Sequence, residues 1–128
     1  MNESEKITIN MGMVDLGRID LLVEEGFYGN RTDFIRTAIR NQLDKHSDEV
    51  AHVASRRDMV IGSLIYSRKE LEQLKAKDEK LNIKVIGLFI LSQDVTPELA
   101  LATIESVVVH GAFKAPDDVK AALAERLR

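Results

Sequence analysis

The first third of the chain places one short strand pattern directly before two helical patterns. Residues 6–11 alternate polar and apolar side chains with the period of two that is typical of a β-strand. Two amphipathic helical patterns follow, over residues 15–25 and from Arg31 onward, with a glycine-rich break between them. A lone six-residue strand cannot satisfy its own backbone groups, so this order predicts that a second copy of the chain supplies the partner strand.

Each helical pattern carries signals for its ends and for its buried side. Gly26 predicts the end of the first helix, because glycine readily takes the left-handed conformation found after many helix ends. Asn30 predicts the N-cap of the second helix, and Asp33 is favourable in its first turn. Apolar residues at helical spacing predict the buried stripes. They are Leu16, Ile19, Leu22 and Val23 in the first helix and Phe34, Ile35, Ala38, Ile39 and Leu43 in the second.

The start of the second helix completes a pattern that resembles a known family. Residues 29–40 read GNRTDFIRTAIR, a small turn followed by Arg-Ser/Thr-acid and then by apolar-Arg-x-Ala-apolar-Arg. Together with the strand at residues 6–11, this run resembles the ribbon-helix-helix superfamily, of the MetJ/Arc or CopG type. The resemblance covers about the first third of the chain. It implies a dimer whose two N-terminal strands form one antiparallel ribbon, which enters the major groove of double-stranded DNA.

The resemblance assigns the reading of bases to one face of the strand. Lys6, Thr8 and Asn10 occupy the outward positions of that strand. Asparagine can pair bidentately with adenine and lysine prefers guanine, so these three side chains are expected to contact base edges. The alternative is the solvated polar face of an ordinary edge strand. The two attached helices favour base readout, since independent signals then agree.

The resemblance also implies a phosphate contact at the start of the second helix. Asn30, Arg31 and Thr32 open this helix, where free backbone N–H groups and the helix dipole suit a DNA phosphate. The same residues equally fit an ordinary helix cap, and the two roles are compatible. Arg36 and Arg40 lie four residues apart on the exposed side and are interpreted as solvated or ion-paired residues.

The charge balance limits how DNA can be bound. The chain has a formal net charge of −3, and residues 1–46 contain six Lys or Arg against eight Asp or Glu. Many DNA-binding domains carry a positive excess, because neutralised phosphates supply most of the non-specific affinity. The sequence therefore predicts binding that depends on the placement of a few residues rather than on bulk charge.

The remainder of the chain contains an internal repeat of one strand pattern and one helix pattern. Its copies are marked by Gly62, Gly87 and Gly111, which are 25 and 24 residues apart and each follow two residues of the strand. Helix starts are predicted at the capping box of Ser67 with Glu70, at Thr96-Pro97-Glu98 and at Pro116-Asp117-Asp118.

Repeats of this length predict a small parallel sheet with helices on one side. A glycine at a fixed strand position would let neighbouring backbones approach closely. The uncovered sheet edges predict further association of chains through residues 58–128. A ligand-sensing ACT module is the competing interpretation, but it has four strands and this segment shows three.

These patterns predict an α+β fold in three parts. Residues 1–46 form a ribbon-helix-helix domain for DNA binding and dimerisation, and residues 47–57 form a helical linker. Residues 58–128 form a small α/β domain of three strand-helix repeats, for assembly or for an effector.

Several function classes lack support in the sequence. There is no cysteine, and His46, His52 and His110 lack the spacing of a metal site, so neither a metal nor another cofactor is expected. No segment has the length and apolarity of a membrane helix, and the acidic N-terminus does not fit a signal peptide. Catalytic motifs are also lacking, so an enzyme is not expected.

The leading hypothesis is a cytoplasmic, bacterial-type transcription regulator, in particular a repressor, that binds DNA as a dimer or a higher oligomer. One alternative is an antitoxin, which represses its own operon and binds a toxin protein through the C-terminal domain. Another is a structural module that self-assembles and is anchored to DNA by its N-terminal part. The sequence leaves these alternatives open.

Overall fold

The computed structural model describes residues 4–128, which divide into two compact units. The first comprises residues 4–53 and the second residues 54–128. The division falls inside the segment 47–57, which forms one helix in the structure. The segment is helical, as predicted, and its role as a linker stays a prediction.

The first unit consists of an extended N-terminal segment followed by helices. Helix α1 spans Met13–Glu24, α2 spans Arg31–Lys45, and α3 spans Ser47–Arg56, whose last residues belong to the second unit. Helix α1 begins two residues earlier and ends one residue earlier than the predicted range of 15–25. Within the described range, residues 4–12 form neither a helix nor a paired strand. Strand pairing requires a second strand, so the ribbon remains a prediction.

Helix α1 ends at the glycine that the sequence indicates. Gly26 has a φ of +86°, and its N–H donates to the carbonyl of Val23 at 3.1 Å. The N–H of Phe27 donates to the carbonyl of Leu22 at 3.0 Å. This pair of bonds is the Schellman arrangement, which satisfies carbonyls left open at a helix end. The predicted stop at Gly26 is confirmed.

The apolar stripe of α2 is not buried within one chain. Ile39 is 53% exposed and Leu43 is 60% exposed, and no residue of α2 is fully buried. The prediction of burial is therefore wrong in the single chain for Ala38, Ile39 and Leu43, whereas Phe34 and Ile35 are half-buried. The predicted stripe of α1 does have a buried residue, Ile19. Helix α2 thus presents an apolar side that its own unit leaves uncovered.

The second unit is a sheet of three parallel strands in the order β1-β2-β3, and each strand is followed by a helix. The elements are β1 Val60–Tyr66, α4 Arg68–Ala76, β2 Leu81–Leu91, α5 Pro97–Thr103, β3 Ile104–Lys114, α6 Asp117–Leu123 and a final 3-10 turn Ala124–Arg126. Three strand-helix repeats are therefore present as predicted, and the parallel three-stranded sheet agrees with the repeat interpretation rather than with a four-stranded ACT module.

The repeat glycines lie side by side across the sheet. Gly62 pairs with Gly87, and Gly87 pairs with Gly111. A Cβ atom on Gly87 would lie 2.1 Å from the carbonyl oxygen of Gly62, and one on Gly111 would lie 2.1 Å from the carbonyl oxygen of Gly87. Both glycines also have positive φ values, +139° and +124°. The predicted close approach of neighbouring backbones is confirmed, and no larger residue fits without displacing the adjacent strand.

One face of the sheet forms the hydrophobic core with the helices. Phe89 and Phe113 stack there with their ring centroids 4.9 Å apart. The twelve buried residues of this core are Leu71, Ile83, Val85, Phe89, Leu91, Val95, Leu99, Ala100, Ile104, Val107, Val119 and Leu123. This unit therefore has a core of its own, in which burial of each larger side chain contributes about 1.5–3 kcal/mol.

Two of the three predicted helix caps in the second unit are formed, and α6 begins at Asp117 after Pro116 without a side-chain cap. Ser67 and Glu70 form a capping box, in which each side chain meets the backbone N–H of the other. The Thr96 side chain accepts a hydrogen bond from the Leu99 N–H, and Pro97 occupies the first helical position. These contacts set the start of α4 one residue after β1 and the start of α5 after the loop of residues 92–96.

Candidate nucleic-acid interface

The residues predicted to read bases lie on the extended N-terminal segment. Lys6, Thr8 and Asn10 are all exposed in residues 4–12, as the resemblance requires. The residues between them are exposed as well, Ile7 at 81% and Ile9 at 61%. Both sides of this segment are therefore open within one chain, the apolar side included.

An open cavity of about 350 Å³ lies where this segment meets the helices. It is lined by Met11 from the segment, by Asp15, Arg18, Ile19 and Leu22 from α1, and by Phe34 from α2. Its lining is mainly apolar. Because it is open rather than enclosed, its apolar lining is accessible in the single chain.

The start of α2 is capped as the sequence indicates. The Asn30 side-chain oxygen accepts a hydrogen bond from the Asp33 N–H at 2.7 Å, and the Asp33 carboxylate accepts one from the Gly29 N–H at 2.9 Å. Within the described part of the chain, no acceptor is found for the backbone N–H groups of Arg31 and Thr32. Two N–H groups at the positive end of the helix dipole are therefore available to an anion.

The side chain of Arg31 contacts helix α1. Its Nε donates to Oδ1 of Asp20 at 2.7 Å, and its Nη2 donates to Oδ2 at 2.8 Å, which makes a bidentate ion pair. The hydrogen bond from Arg31 holds the pKa of Asp20 below its usual value, with a further contribution from the positive charge. The same pair raises the pKa of Arg31. This ion pair joins α1 to α2 and engages two of the guanidinium N–H donors.

Asp20 is a residue that the sequence patterns do not single out. It lies eleven residues before its partner, across the Gly26 turn, so helical spacing rules for ion pairs do not apply to it. The ring of Tyr28, in that turn, meets Phe34 of α2 edge-on at 4.9 Å. The ion pair places the start of α2 relative to α1, and the ring contact packs the turn against α2.

The remaining polar candidates show no built site. Arg36 and Arg40 are exposed. His46 contacts Glu49 at 3.0 Å, and His110 lies exposed on β3 opposite Ile86. Among residues 4–128, no group of three or more His, Cys, Asp or Glu side chains could hold a metal ion. Nor does any helix in that range have the length and apolar character needed to cross a membrane.

Comparison with known proteins assigns the class of this chain. The model of the ribbon-helix-helix transcriptional regulator family matches residues 2–120, nearly the whole chain. The chain therefore belongs to this family, whose function is DNA-binding transcription regulation. The match extends beyond the N-terminal resemblance into the strand-helix repeats.

A curated regulator is similar to part of this chain. The chain is 31% identical over 45 residues to the transcriptional regulator CdrS of Halobacterium salinarum (strain ATCC 700922 / JCM 11081 / NRC-1). The aligned region covers 35% of this chain and 82% of that regulator. No solved structure gives a significant match to this chain.

Proposed function

We propose that this chain is a sequence-specific repressor that binds double-stranded DNA as a dimer through a ribbon of two N-terminal strands. The observation that carries the proposal is the alternation in the extended segment. Lys6, Thr8 and Asn10 alternate along it with Ile7 and Ile9, and all five are exposed, so pairing as a strand would put the two sets on opposite faces. Polar side chains on one face can contact base edges while the apolar face packs on the helices of the dimer.

The uncovered apolar surface of the first unit supports the dimer. Ile7, Ile9, Ile39 and Leu43 are each more than half exposed, and the cavity beside Met11 is open. Burial of apolar surface contributes about 25 cal/mol per Å², so a second copy that covers these side chains is strongly favoured. Antiparallel pairing of the two strands also satisfies the backbone groups of residues 6–11.

The start of α2 is proposed to bind a DNA phosphate on each side of the ribbon. The free N–H groups of Arg31 and Thr32 supply the donors, and the Asn30 cap holds the first turn in place. The ion pair with Asp20 engages two donors of the Arg31 guanidinium. Its remaining guanidinium donors are then available to the same phosphate.

Substitution of Asp20 and of Arg31 is expected to change DNA affinity in opposite directions. Asp20→Asn releases the guanidinium and removes a negative charge, so binding to DNA of any sequence strengthens. Arg31→Ala weakens binding and lowers the slope of log affinity against log salt by about 1, the value for one phosphate contact. Gel shifts at several salt concentrations measure both effects.

Asp44→Asn is the matched control for this pair, because it makes the same charge change at the other end of α2. Equal strengthening by Asp20→Asn and Asp44→Asn would contradict a phosphate contact by Arg31.

Low pH tests the ion pair between Asp20 and Arg31 itself. The lowered pKa of Asp20 means that the ion pair stabilises the fold above the usual pKa of an aspartate. This contribution is lost as the pH falls through the lowered value.

The second unit is proposed to join DNA-bound dimers into a higher homo-oligomer. Its sheet ends in two strands, β1 and β3, that each have one strand neighbour. An antitoxin would instead use this region to bind a toxin, typically with a segment that folds on binding. Residues 54–128 already contain a buried core, which favours the assembly role over that alternative.

Footprinting on the DNA upstream of the protein's own gene tests the proposal. We expect the full chain to protect a pseudo-palindromic site and to occupy neighbouring sites cooperatively. A chain that ends at His46, the C-cap of α2, should still dimerise and protect a single site, but without cooperativity. Equal cooperativity in both proteins would contradict the proposed assembly role of the second unit. The absence of any protected site would contradict the proposed repressor.

A further inference from the structure

Strand β1 lies at one edge of the sheet and lacks the features that usually protect such an edge. Its sequence, VIGSLIY, contains no charged residue and no proline. Val60 is 53% exposed, Ile61 is 59% exposed and Ile65 is 49% exposed. Natural proteins guard edge strands with lysines, prolines or a covering element, because unpaired backbone groups otherwise join another strand. An apolar, uncharged edge is therefore suited to pairing.

The glycine of β1 shows which strand would fit beside it. Gly87 and Gly111 each lie against the carbonyl oxygen of the preceding repeat's glycine, which leaves no room for a Cβ atom. Gly62 has the same conformation, with a φ of +135°, yet nothing lies within 4 Å of the position of its Cβ. The first repeat thus keeps the geometry that accommodates a neighbouring glycine carbonyl, but no described strand supplies one.

The opposite edge of the sheet presents the matching group. The N–H of Arg128 donates to the Val107 carbonyl at 2.9 Å, so this carbonyl points away from β2, toward the outer edge of β3. Gly111 lies four residues further along β3, and the period of two places its carbonyl on the same outer side. The chain's C-terminal end pairs with β3 at Val107. No described strand pairs with the outer edge over residues 109–113.

We propose that β1 of one chain pairs in parallel with β3 of a second copy, with Gly62 opposite Gly111. The register inside the sheet predicts the other pairs, since Ile61 and His110 both align with Ile86, and Ser63 and Ala112 both align with Leu88. Strand β1 begins at the level of Val109, two residues beyond the bridge between Val107 and Leu127. The proposed pairing therefore leaves that bridge in place.

This contact deepens the assembly role proposed above, on which it rests, by naming its surface and its register. It joins two different edges, so it is heterologous, and every chain offers both of them. Such contacts close into a ring or continue as a filament. Combined with N-terminal dimers, they would connect DNA-reading ribbons through one extended sheet.

Cysteine cross-linking tests the register directly, because the natural chain contains no cysteine. In the full-length Ser63→Cys/Ala112→Cys variant, the two positions within one chain are separated by β2, about 10 Å apart at ~4.8 Å per strand. A disulfide requires Cα atoms within about 7 Å, so it can form only between chains whose β1 and β3 are neighbours. Oxidation with copper phenanthroline without DNA should give a ladder of linked chains, at least ten-fold more than either single variant gives.

The Ile65→Cys/Ala112→Cys variant is the matched control, because it keeps one cysteine and shifts the other by two residues on the same face. The proposed register places this pair about 8 Å apart across neighbouring strands, beyond disulfide reach. Equal ladders from both double variants would overturn the register. Linking by Ser63→Cys or Ala112→Cys alone, at the level of the first double variant, would overturn the heterologous contact in favour of a two-fold one.

A gel shift with the same reduced samples separates this inference from DNA reading. Circular dichroism that matches the natural chain shows that the variants are folded. Folded protein that binds its operator but gives no ladder overturns the edge pairing and leaves DNA reading in place. A ladder from protein that fails to bind operator supports the edge pairing and rejects the proposed repressor.

Discussion

The Thr8→Ala/Asn10→Ala double variant is expected to lose its preference for the operator over unrelated DNA. Both residues are exposed on the extended segment, where they alternate with Ile7 and Ile9. A good base contact contributes about 1–3 kcal/mol of discrimination, so loss of two predicts a decrease of about 30- to 10⁴-fold in specific affinity. Neither residue is charged, so affinity for unrelated DNA should change little. Competition gel shifts with operator and unrelated duplexes measure both quantities.

Asn41→Ala is the control for this experiment, because Asn41 is an exposed polar residue of α2 away from the strand. It should leave both affinities unchanged. Lys6→Ala differs from both, since it removes a base contact and a positive charge and should also lower the salt dependence. If the double variant kept its full sequence preference, readout by the strand would be wrong, whatever the affinity of the protein for DNA.

Substitution Gly87→Ala is expected to have the largest effect on folding. A Cβ atom there would lie 2.1 Å from the Gly62 carbonyl oxygen, a backbone atom that cannot move without separating β1 from β2. The φ of +139° adds conformational strain of about 1–3 kcal/mol for any residue with a side chain. We therefore expect the second unit to lose about 3 kcal/mol or more of stability. Urea unfolding followed by circular dichroism measures the loss, and hydrogen exchange of β2 assigns it to this unit.

Gly62→Ala is the matched control, because it has the same backbone strain but an empty space at the position of its Cβ atom. At a protein concentration too low for chains to assemble, it should cost only the strain of about 1–3 kcal/mol. The difference between the two variants measures the clash between β1 and β2. Equal losses would show that backbone conformation alone, and not the approach of neighbouring strands, requires glycine at position 87.

The repeat domain shows how far sequence patterns reach when local signals and packing agree. The spacing of Gly62, Gly87 and Gly111 predicts the alignment of three strands, and the observed register places these glycines opposite one another. The cap of Ser67 with Glu70 likewise depends on neighbours three residues apart. Signals of this kind are readable because a cap or a repeat depends on residue type and spacing alone.

Only part of the candidate DNA interface can be predicted from the sequence. The cap at Asn30 follows from local chemistry, but the contact of Arg31 with Asp20 depends on how the Gly26 turn folds one helix back on the other. The same limit applies to α2, whose stripe at Ile39 and Leu43 has the pattern of a buried face but is exposed in the single chain. Periodicity identifies which side of a helix is apolar, but it does not identify what covers that side.

The sequence alone predicts the stop of α1 at Gly26, the caps at Asn30 and Ser67, the three strand-helix repeats and the family resemblance of residues 6–40. Each of these depends on residues that are close along the chain or on a fixed spacing. Three features are visible only in the folded chain: Asp20 holds Arg31, a backbone oxygen fills the space beside Gly87, and the space beside Gly62 is empty. These are contacts between segments distant in sequence, and their distances follow from how the chain packs rather than from residue type.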